Sequence, residues 1–132
     1  YPYYADLLQM AQASDVLVMA CPGGAETKNL ITSKILKALG PKGFLVNIAR
    51  GSVVNTEDLL IALRNRDIAG AGLDVYENEP NVPEALISMD NVVLLPHVGS
   101  ATAETRSEMG RLVIANILAH FEGNPLRTPV VL

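Results

Sequence analysis

Residues 43–50 read Gly-Phe-Leu-Val-Asn-Ile-Ala-Arg, a short apolar run that ends on a permanent cation. Continuous runs of this length that contain Phe, Leu, Val and Ile are typical of strands buried in a parallel sheet. We therefore predict a strand over residues 43–49, with Arg50 at the start of the connection that follows it. The segments on either side of this strand repeat the same pattern.

Further apolar runs alternate with segments of helical spacing along the chain. The predicted strands occupy residues 15–20, 43–49, 71–76 and 91–95. The predicted helices lie near residues 4–12, between Thr32 and Gly40, between Asn55 and Gly70, and over residues 102–121. Such alternation is the βαβ pattern of a parallel sheet covered on both faces. The sequence thus predicts the α/β fold class.

The predicted helices carry capping signals and one long apolar periodicity. Thr32 and Ser33 can cap the helix that follows them, and Asn55 with Asp58 resembles a cap for the next one. In the last helix, apolar residues recur 3, 4 and 8 positions after Met109, which is the spacing of one helix face.

A doubly wound dinucleotide-binding sheet begins with a strand, a G-x-G-x-x-G turn and a ribose-reading residue about 20 positions later. This set is not found in the sequence, and Gly23-Gly24 lacks the third glycine at the right offset. We therefore interpret the chain as the second half of a Rossmann-like doubly wound parallel sheet, followed by a long C-terminal helix. The chain is expected to be a fragment of a longer polypeptide.

Composition excludes several classes of partner. The chain has 132 residues, with 14 Asp and Glu against 10 Lys and Arg, and its net charge is −4. This charge balance argues against nucleic acid as a partner. The longest apolar runs of the chain are too short to cross a membrane. A single Cys cannot form an internal disulfide, which favours a reducing compartment and a cytoplasmic location. No metal site is predicted.

The carboxyl ends of parallel strands meet at one edge of a sheet, where ligands bind. The four predicted strands lead there to Cys21-Pro22, Arg50, the loop that holds Glu77 and Glu79, and His97. Taken singly, each residue has an ordinary interpretation: Arg50 as a surface charge or a cap on neighbouring carbonyls, Glu79 as a solvated loop residue, and His97 as a packing or surface residue. Together, a cation, a carboxylate and an imidazole indicate an acid–base site.

Three segments carry a resemblance to a known family. They are residues 46–54 (Val-Asn-Ile-Ala-Arg-Gly-Ser-Val-Val), 70–80 (Gly-Ala-Gly-Leu-Asp-Val-Tyr-Glu-Asn-Glu-Pro) and 91–105 (Asn-Val-Val-Leu-Leu-Pro-His-Val-Gly-Ser-Ala-Thr-Ala-Glu-Thr). In this order they resemble the D-isomer-specific 2-hydroxyacid dehydrogenases, and within that family the NADPH-dependent hydroxyphenylpyruvate and hydroxypyruvate (glyoxylate) reductases. The resemblance covers essentially the whole chain.

The resemblance implies a hydride transfer from NADPH or NADH to a 2-oxo acid, giving the D-2-hydroxy acid. It implies that Arg50 holds the substrate carboxylate and keto oxygen, that Glu79 is the catalytic carboxylate and that His97 is the general acid. These residue types suit the task. An arginine fork pairs with a carboxylate through two donors, and a carboxylate beside an imidazole favours its protonated form and fixes its tautomer.

The resemblance also implies a set of cofactor contacts. Asp74 matches the position that accepts a hydrogen bond from the nicotinamide carboxamide. The other implied contacts are Cys21, Pro22, Ile48, Ala49, Arg50, His97, Gly99 and Ser100. For Cys21 a packed, inert thiol is preferred over a nucleophile, because no protease-like motif accompanies it.

By the same resemblance, residues 1–124 are the C-terminal part of an NAD(P)-binding domain, and residues 125–132 are a tail that returns toward a substrate domain. The first strand would pair with a central strand from upstream, so Val16 and Val18 are expected to form an exposed apolar edge. A homodimer is expected for the full-length protein. Two alternatives stay open: a dinucleotide-sensing, partner-binding module without turnover, and a fragment that is inactive when isolated.

Overall fold

The computed structural model describes residues 2–130, and the chain divides after His97 into two compact units. The first unit holds four parallel strands in the order β1-β2-β3-β4. The strands are β1 (Val16–Met19), β2 (Phe44–Asn47), β3 (Gly70–Leu73) and β4 (Val92–Leu94). All four predicted strands are therefore confirmed, each shorter than its apolar run.

The helices follow the predicted alternation. They are α1 (Leu7–Gln12), α2 (Ser33–Leu39), α3 (Thr56–Arg64), α4 (Glu84–Ile87) and α5 (Ala103–Phe121). Short 3-10 turns occur at Ala25–Thr27 and Gly51–Val53. The α4 turn was not predicted, because it lies in a segment with no clear helical period.

The N-cap predicted for α3 is confirmed. The N-cap predicted for α2 lies at the right position, but the predicted side-chain hydrogen bond is wrong. The Asn55 side chain accepts from the Asp58 N–H at 3.0 Å. Thr32 occupies the N-cap position of α2, but its side chain makes no capping hydrogen bond within the described residues. The Asp58 carboxylate accepts instead from the Ser33 N–H at 2.8 Å, so one acidic residue serves the starts of two helices.

One face of the sheet carries the hydrophobic core. Leu17 of β1, Leu45 of β2 and Ala71 of β3 are side by side in the parallel register and are buried. Residues of α1, α2 and α3 belong to the same cluster, which includes Ala11, Leu36 and Leu63. Burying a leucine of this kind contributes about 1.5–3 kcal/mol relative to its exposed state.

The opposite face of the sheet is open. Val16, Val18, Phe44 and Val93 lie on it and are between 48% and 64% exposed. The expectation of an exposed edge at Val16 and Val18 agrees with this finding. The expectation that both faces are covered is wrong for the described residues, because α1, α2 and α3 all contribute to the cluster on the other face.

The second unit consists mainly of α5. The Thr102 side chain accepts from the Thr105 N–H and caps the helix, which confirms the predicted start. The apolar residues of the predicted face, such as Met109 and Ile117, are exposed, each to between 41% and 58%. The Asn116 side chain accepts from the Arg127 N–H at 2.9 Å and so fixes the segment that follows the helix. No helix among residues 2–130 is long and apolar enough to span a bilayer.

Candidate active site

The turn after β2 presents Arg50, and a buried asparagine shapes it. Asn47 is 1% exposed. Its Oδ1 accepts from the Ala49 N–H and its Nδ2 donates to the Arg50 carbonyl, each at 3.0 Å. Because both ends of this amide are satisfied, the turn is held in one conformation. Asn47 was missed in the sequence, where a polar residue inside an apolar run is the signal that could have revealed it.

Close backbone packing brings the Arg50 turn against the loop after β3. A Cβ added at Gly51 would lie 1.9 Å from the carbonyl carbon of Tyr76. Only glycine permits this approach, since any side chain would push the two segments apart. On the other side, a Cβ at Gly23 would lie 2.8 Å from Cγ of Arg50. The Arg50 side chain therefore passes directly over the loop after β1.

The loop after β3 holds Glu79 through Tyr76. The Tyr76 N–H donates to Oε1 of Glu79 at 3.0 Å. The Tyr76 hydroxyl lies 3.1 Å from the carbonyl oxygen of Leu73 and 2.8 Å from that of Leu95. Burial raises the pKa of this phenol, so the hydroxyl is a neutral donor at neutral pH.

His97 follows β4 and pairs with Glu79. Its Nδ1 lies 2.7 Å from Oε2 of Glu79, which is the distance of a charge-assisted hydrogen bond when the imidazole is protonated. Because Nδ1 faces Glu79, Nε2 is the ring nitrogen that can serve a ligand. The backbone φ of His97 is +56°, in the left-handed region. This conformation costs an L-residue about 1–2 kcal/mol and must be held by the surrounding structure.

The Glu79 carboxylate is kept charged. The hydrogen bond with His97, followed by that from the Tyr76 N–H, holds the pKa of Glu79 below its ordinary value of 4.5. The positive charge of Arg50 acts in the same direction. Glu79 is therefore an acceptor throughout the neutral pH range.

These residues line one open cleft of about 920 Å³ at the carboxyl ends of the strands, called the site cleft below. Its walls include the predicted residues Cys21, Pro22, Ile48, Ala49, Arg50, Glu79 and His97, together with Gly23, Tyr76 and Glu77. The structure thus brings the predicted cation, carboxylate and imidazole together. A smaller apolar pocket of about 280 Å³ adjoins the cleft at Tyr76, Glu79 and His97.

Three predicted cofactor contacts are placed differently. Asp74 follows β3, is 5% exposed and has polar partners within the protein. A dedicated partner is what so buried a carboxylate requires. Gly99 and Ser100 belong to the second unit. The cofactor roles of these three residues stay predictions.

The pattern that describes the family "D-isomer specific 2-hydroxyacid dehydrogenase, NAD binding domain" matches residues 1–99. The chain belongs to this family. The match confirms the resemblance carried by the three sequence segments.

Two similar proteins of the D-isomer specific 2-hydroxyacid dehydrogenase family are reductases. The chain is 53% identical over 131 residues to a hydroxyphenylpyruvate reductase of Plectranthus scutellarioides, covering 99% of this chain and 42% of that protein. It is 50% identical, with the same coverage of both chains, to glyoxylate/hydroxypyruvate reductase A of Arabidopsis thaliana.

Solved structures of the family agree with the fold. An NADPH-dependent glyoxylate/hydroxypyruvate reductase from Sinorhizobium meliloti, in complex with NADP and malonate, has a TM-score of 0.96 and 51% sequence identity, covering 99% of this chain and 41% of that one. The chain thus spans about two fifths of the length of these relatives.

Proposed function

We propose that the protein carrying this chain is an oxidoreductase that reduces a 2-oxo acid to the D-2-hydroxy acid, with NADPH or NADH as the hydride source. The observation that carries the proposal is the Glu79–His97 pair at 2.7 Å, on the same cleft as Arg50. Hydroxyphenylpyruvate, hydroxypyruvate and glyoxylate are the proposed substrates. Their common feature is a carbonyl group beside a carboxylate. Its reduction requires a cation that binds the carboxylate and an acid that protonates the carbonyl oxygen.

Arg50 is proposed to bind the substrate. Its guanidinium presents a planar fork that matches a carboxylate through two donors, with further reach toward the keto oxygen. One of its nitrogens, Nη1, donates to the Ala49 carbonyl at 2.6 Å. That bond anchors the side chain at the edge of the cleft and leaves the other N–H groups for the substrate.

His97 is proposed to donate the proton. Reduction of a ketone places negative charge on its oxygen, and an imidazolium within reach neutralises that charge by transferring a proton, an effect worth about 10²–10⁴-fold in rate. Glu79 binds Nδ1 of the ring. It thereby fixes the orientation of the ring and directs Nε2 toward the substrate.

The residues of the site cleft fit a nicotinamide ring. Ile48 lies at the end of β2, is half exposed and lines the cleft. An apolar side chain presented there suits one face of a planar ring, and the absence of a side chain at Gly23 lets Arg50 pack closely against the loop after β1. Cys21, Pro22 and Ala49 would complete this wall. When bound, the reduced cofactor supplies the hydride.

We also propose a location and an assembly for the protein. A single cysteine favours a reducing compartment such as the cytoplasm. Homodimerisation is proposed for the protein that carries the chain, and size-exclusion chromatography with light scattering tests it.

The proposed function is tested by following NADPH and NADH absorbance in the full-length protein with each of the three 2-oxo acids. We expect saturable oxidation of the cofactor with each substrate. Chiral chromatography should show D-configured products from hydroxyphenylpyruvate and hydroxypyruvate, whereas glyoxylate gives glycolate, which has no stereocentre. Cofactor binding without turnover on any of these substrates would contradict the proposal and would favour a dinucleotide-sensing module. The isolated 132-residue chain serves as the comparison and is expected to show no turnover.

A further inference from the structure

Tyr76 contacts the ends of two strands that carry the site. It is 8% exposed. Its hydroxyl lies 3.1 Å from the carbonyl oxygen of Leu73, the last residue of β3, and 2.8 Å from that of Leu95, two residues before His97. One phenolic hydrogen shared between these two acceptors ties the end of β3 to the end of β4.

The backbone of Tyr76 reaches the other parts of the site. Its N–H binds Oε1 of Glu79 at 3.0 Å, and Oε2 of the same carboxylate binds His97 at 2.7 Å. The peptide between Tyr76 and Glu77 is also the surface against which Gly51, next to Arg50, packs. Tyr76 therefore meets each of the three segments that present a proposed catalytic group.

We infer that Tyr76 is a positioning residue for the proposed reduction: its hydroxyl holds the ends of β3 and β4 at the separation at which Glu79 binds the His97 imidazole. The inference rests on the proposed function. Filling the core is the alternative role, and a phenylalanine would serve it as well. The hydroxyl group is what distinguishes the two roles, because only the hydroxyl spans the two strands.

The test is Tyr76→Phe in the full-length protein, which removes one oxygen and keeps the ring. We expect kcat to fall about tenfold, because the loss of this buried hydrogen bond lets the Glu79–His97 pair shift. The KM for NADPH should stay nearly unchanged. A role in packing alone would leave both the melting temperature and kcat nearly unchanged, because phenylalanine fills the same space. Tyr3→Phe is the matched control, since Tyr3 is 89% exposed.

A second readout does not depend on turnover. The pKa of Glu79, measured by carbon NMR of its carboxyl group, is expected below its ordinary value in the wild type. In Tyr76→Phe we expect this pKa to rise, because the bond with His97 loosens. The other charged or titratable groups of the site cleft, Arg50, Glu77 and Cys21, are unchanged in the variant.

A double variant separates positioning from an indirect effect. In a His97→Gln background, Tyr76→Phe should no longer change the pKa of Glu79, so the two substitutions should be strongly non-additive. If Tyr76→Phe leaves both kcat and the Glu79 titration unchanged, the inference is wrong. If the wild type reduces no 2-oxo acid and the titration still responds, the proposed function fails and the positioning of the pair stands.

Discussion

The covered face of the sheet and the site cleft are stabilised by different interactions. Leu17, Leu45 and Leu73 on the covered face are almost fully buried and apolar. Arg50, Glu79 and His97, which follow β2, β3 and β4 of the same sheet, are exposed and polar. The first region is held together by burial and the second by a few directed hydrogen bonds. Substitutions in the two regions should therefore separate loss of stability from loss of activity.

His97→Ala is expected to give the largest effect and to act on activity alone. Removing the proposed proton donor should lower kcat by about 10²–10⁴-fold. The melting temperature should change little, because the side chain is exposed and alanine has the same difficulty with a positive φ. Steady-state kinetics and calorimetry measure the two effects, with His120→Ala as the control. Turnover within a few-fold of the wild type would reject the proposed role.

Leu45→Ala is expected to act on stability alone. Leu45 is fully buried between the sheet and its helices, so its truncation should lower the free energy of unfolding by about 2–5 kcal/mol. Val93→Ala on the open face is the matched control and should change it by about 0.5 kcal/mol or less, as surface substitutions do. Denaturant titration measures both. Equal effects at the two positions would show that the open face is buried in solution.

Glu79→Gln should show a small effect that depends on pH. The folded state lowers the pKa of Glu79, so the carboxylate stabilises the fold at pH values above its ordinary value of 4.5, and this contribution is lost as the pH falls through the lower folded value. The difference in unfolding free energy between wild type and variant should therefore shrink in acid. It should be modest throughout, because about a third of the Glu79 side chain is exposed and solvent screens it.

Glu57→Gln provides the background for that experiment, since it removes an exposed carboxyl group from α3. The unfolding free energies of the wild type, Glu79→Gln and Glu57→Gln are measured by chemical denaturation. About five pH values from pH 3 upward define the trend. A difference that grows as the pH falls would contradict the assigned direction of the Glu79 pKa shift.

The strands could be predicted from the sequence because they depend on local patterns. Apolar runs mark strands such as β2, and the parallel arrangement brings their ends together whatever their separation along the chain. Arg50 and His97 were proposed as site residues in this way, since each closely follows a strand. The choice of Glu79 over Glu77 came from the family resemblance, and the roles of all three residues stay predictions.

The contacts that hold the site could not be predicted in the same way. Tyr76 binds the carbonyl of Leu95, which is 19 positions away, and no local pattern records such a pairing. The face of the sheet that a helix covers depends on the side on which the chain crosses from one strand to the next. No local pattern records this side, so the open face at Val93 was missed. Asn47 is the exception, because its polarity within an apolar run is visible in the sequence.

The left-handed backbone at His97 has a consequence for any effort to engineer this protein. Glycine adopts such a conformation at no steric cost, whereas histidine does not. A screen that selects only for resistance to heat would therefore favour glycine at position 97 and would discard the proposed proton donor. At position 97, thermal stability favours glycine, whereas the proposed proton transfer requires histidine.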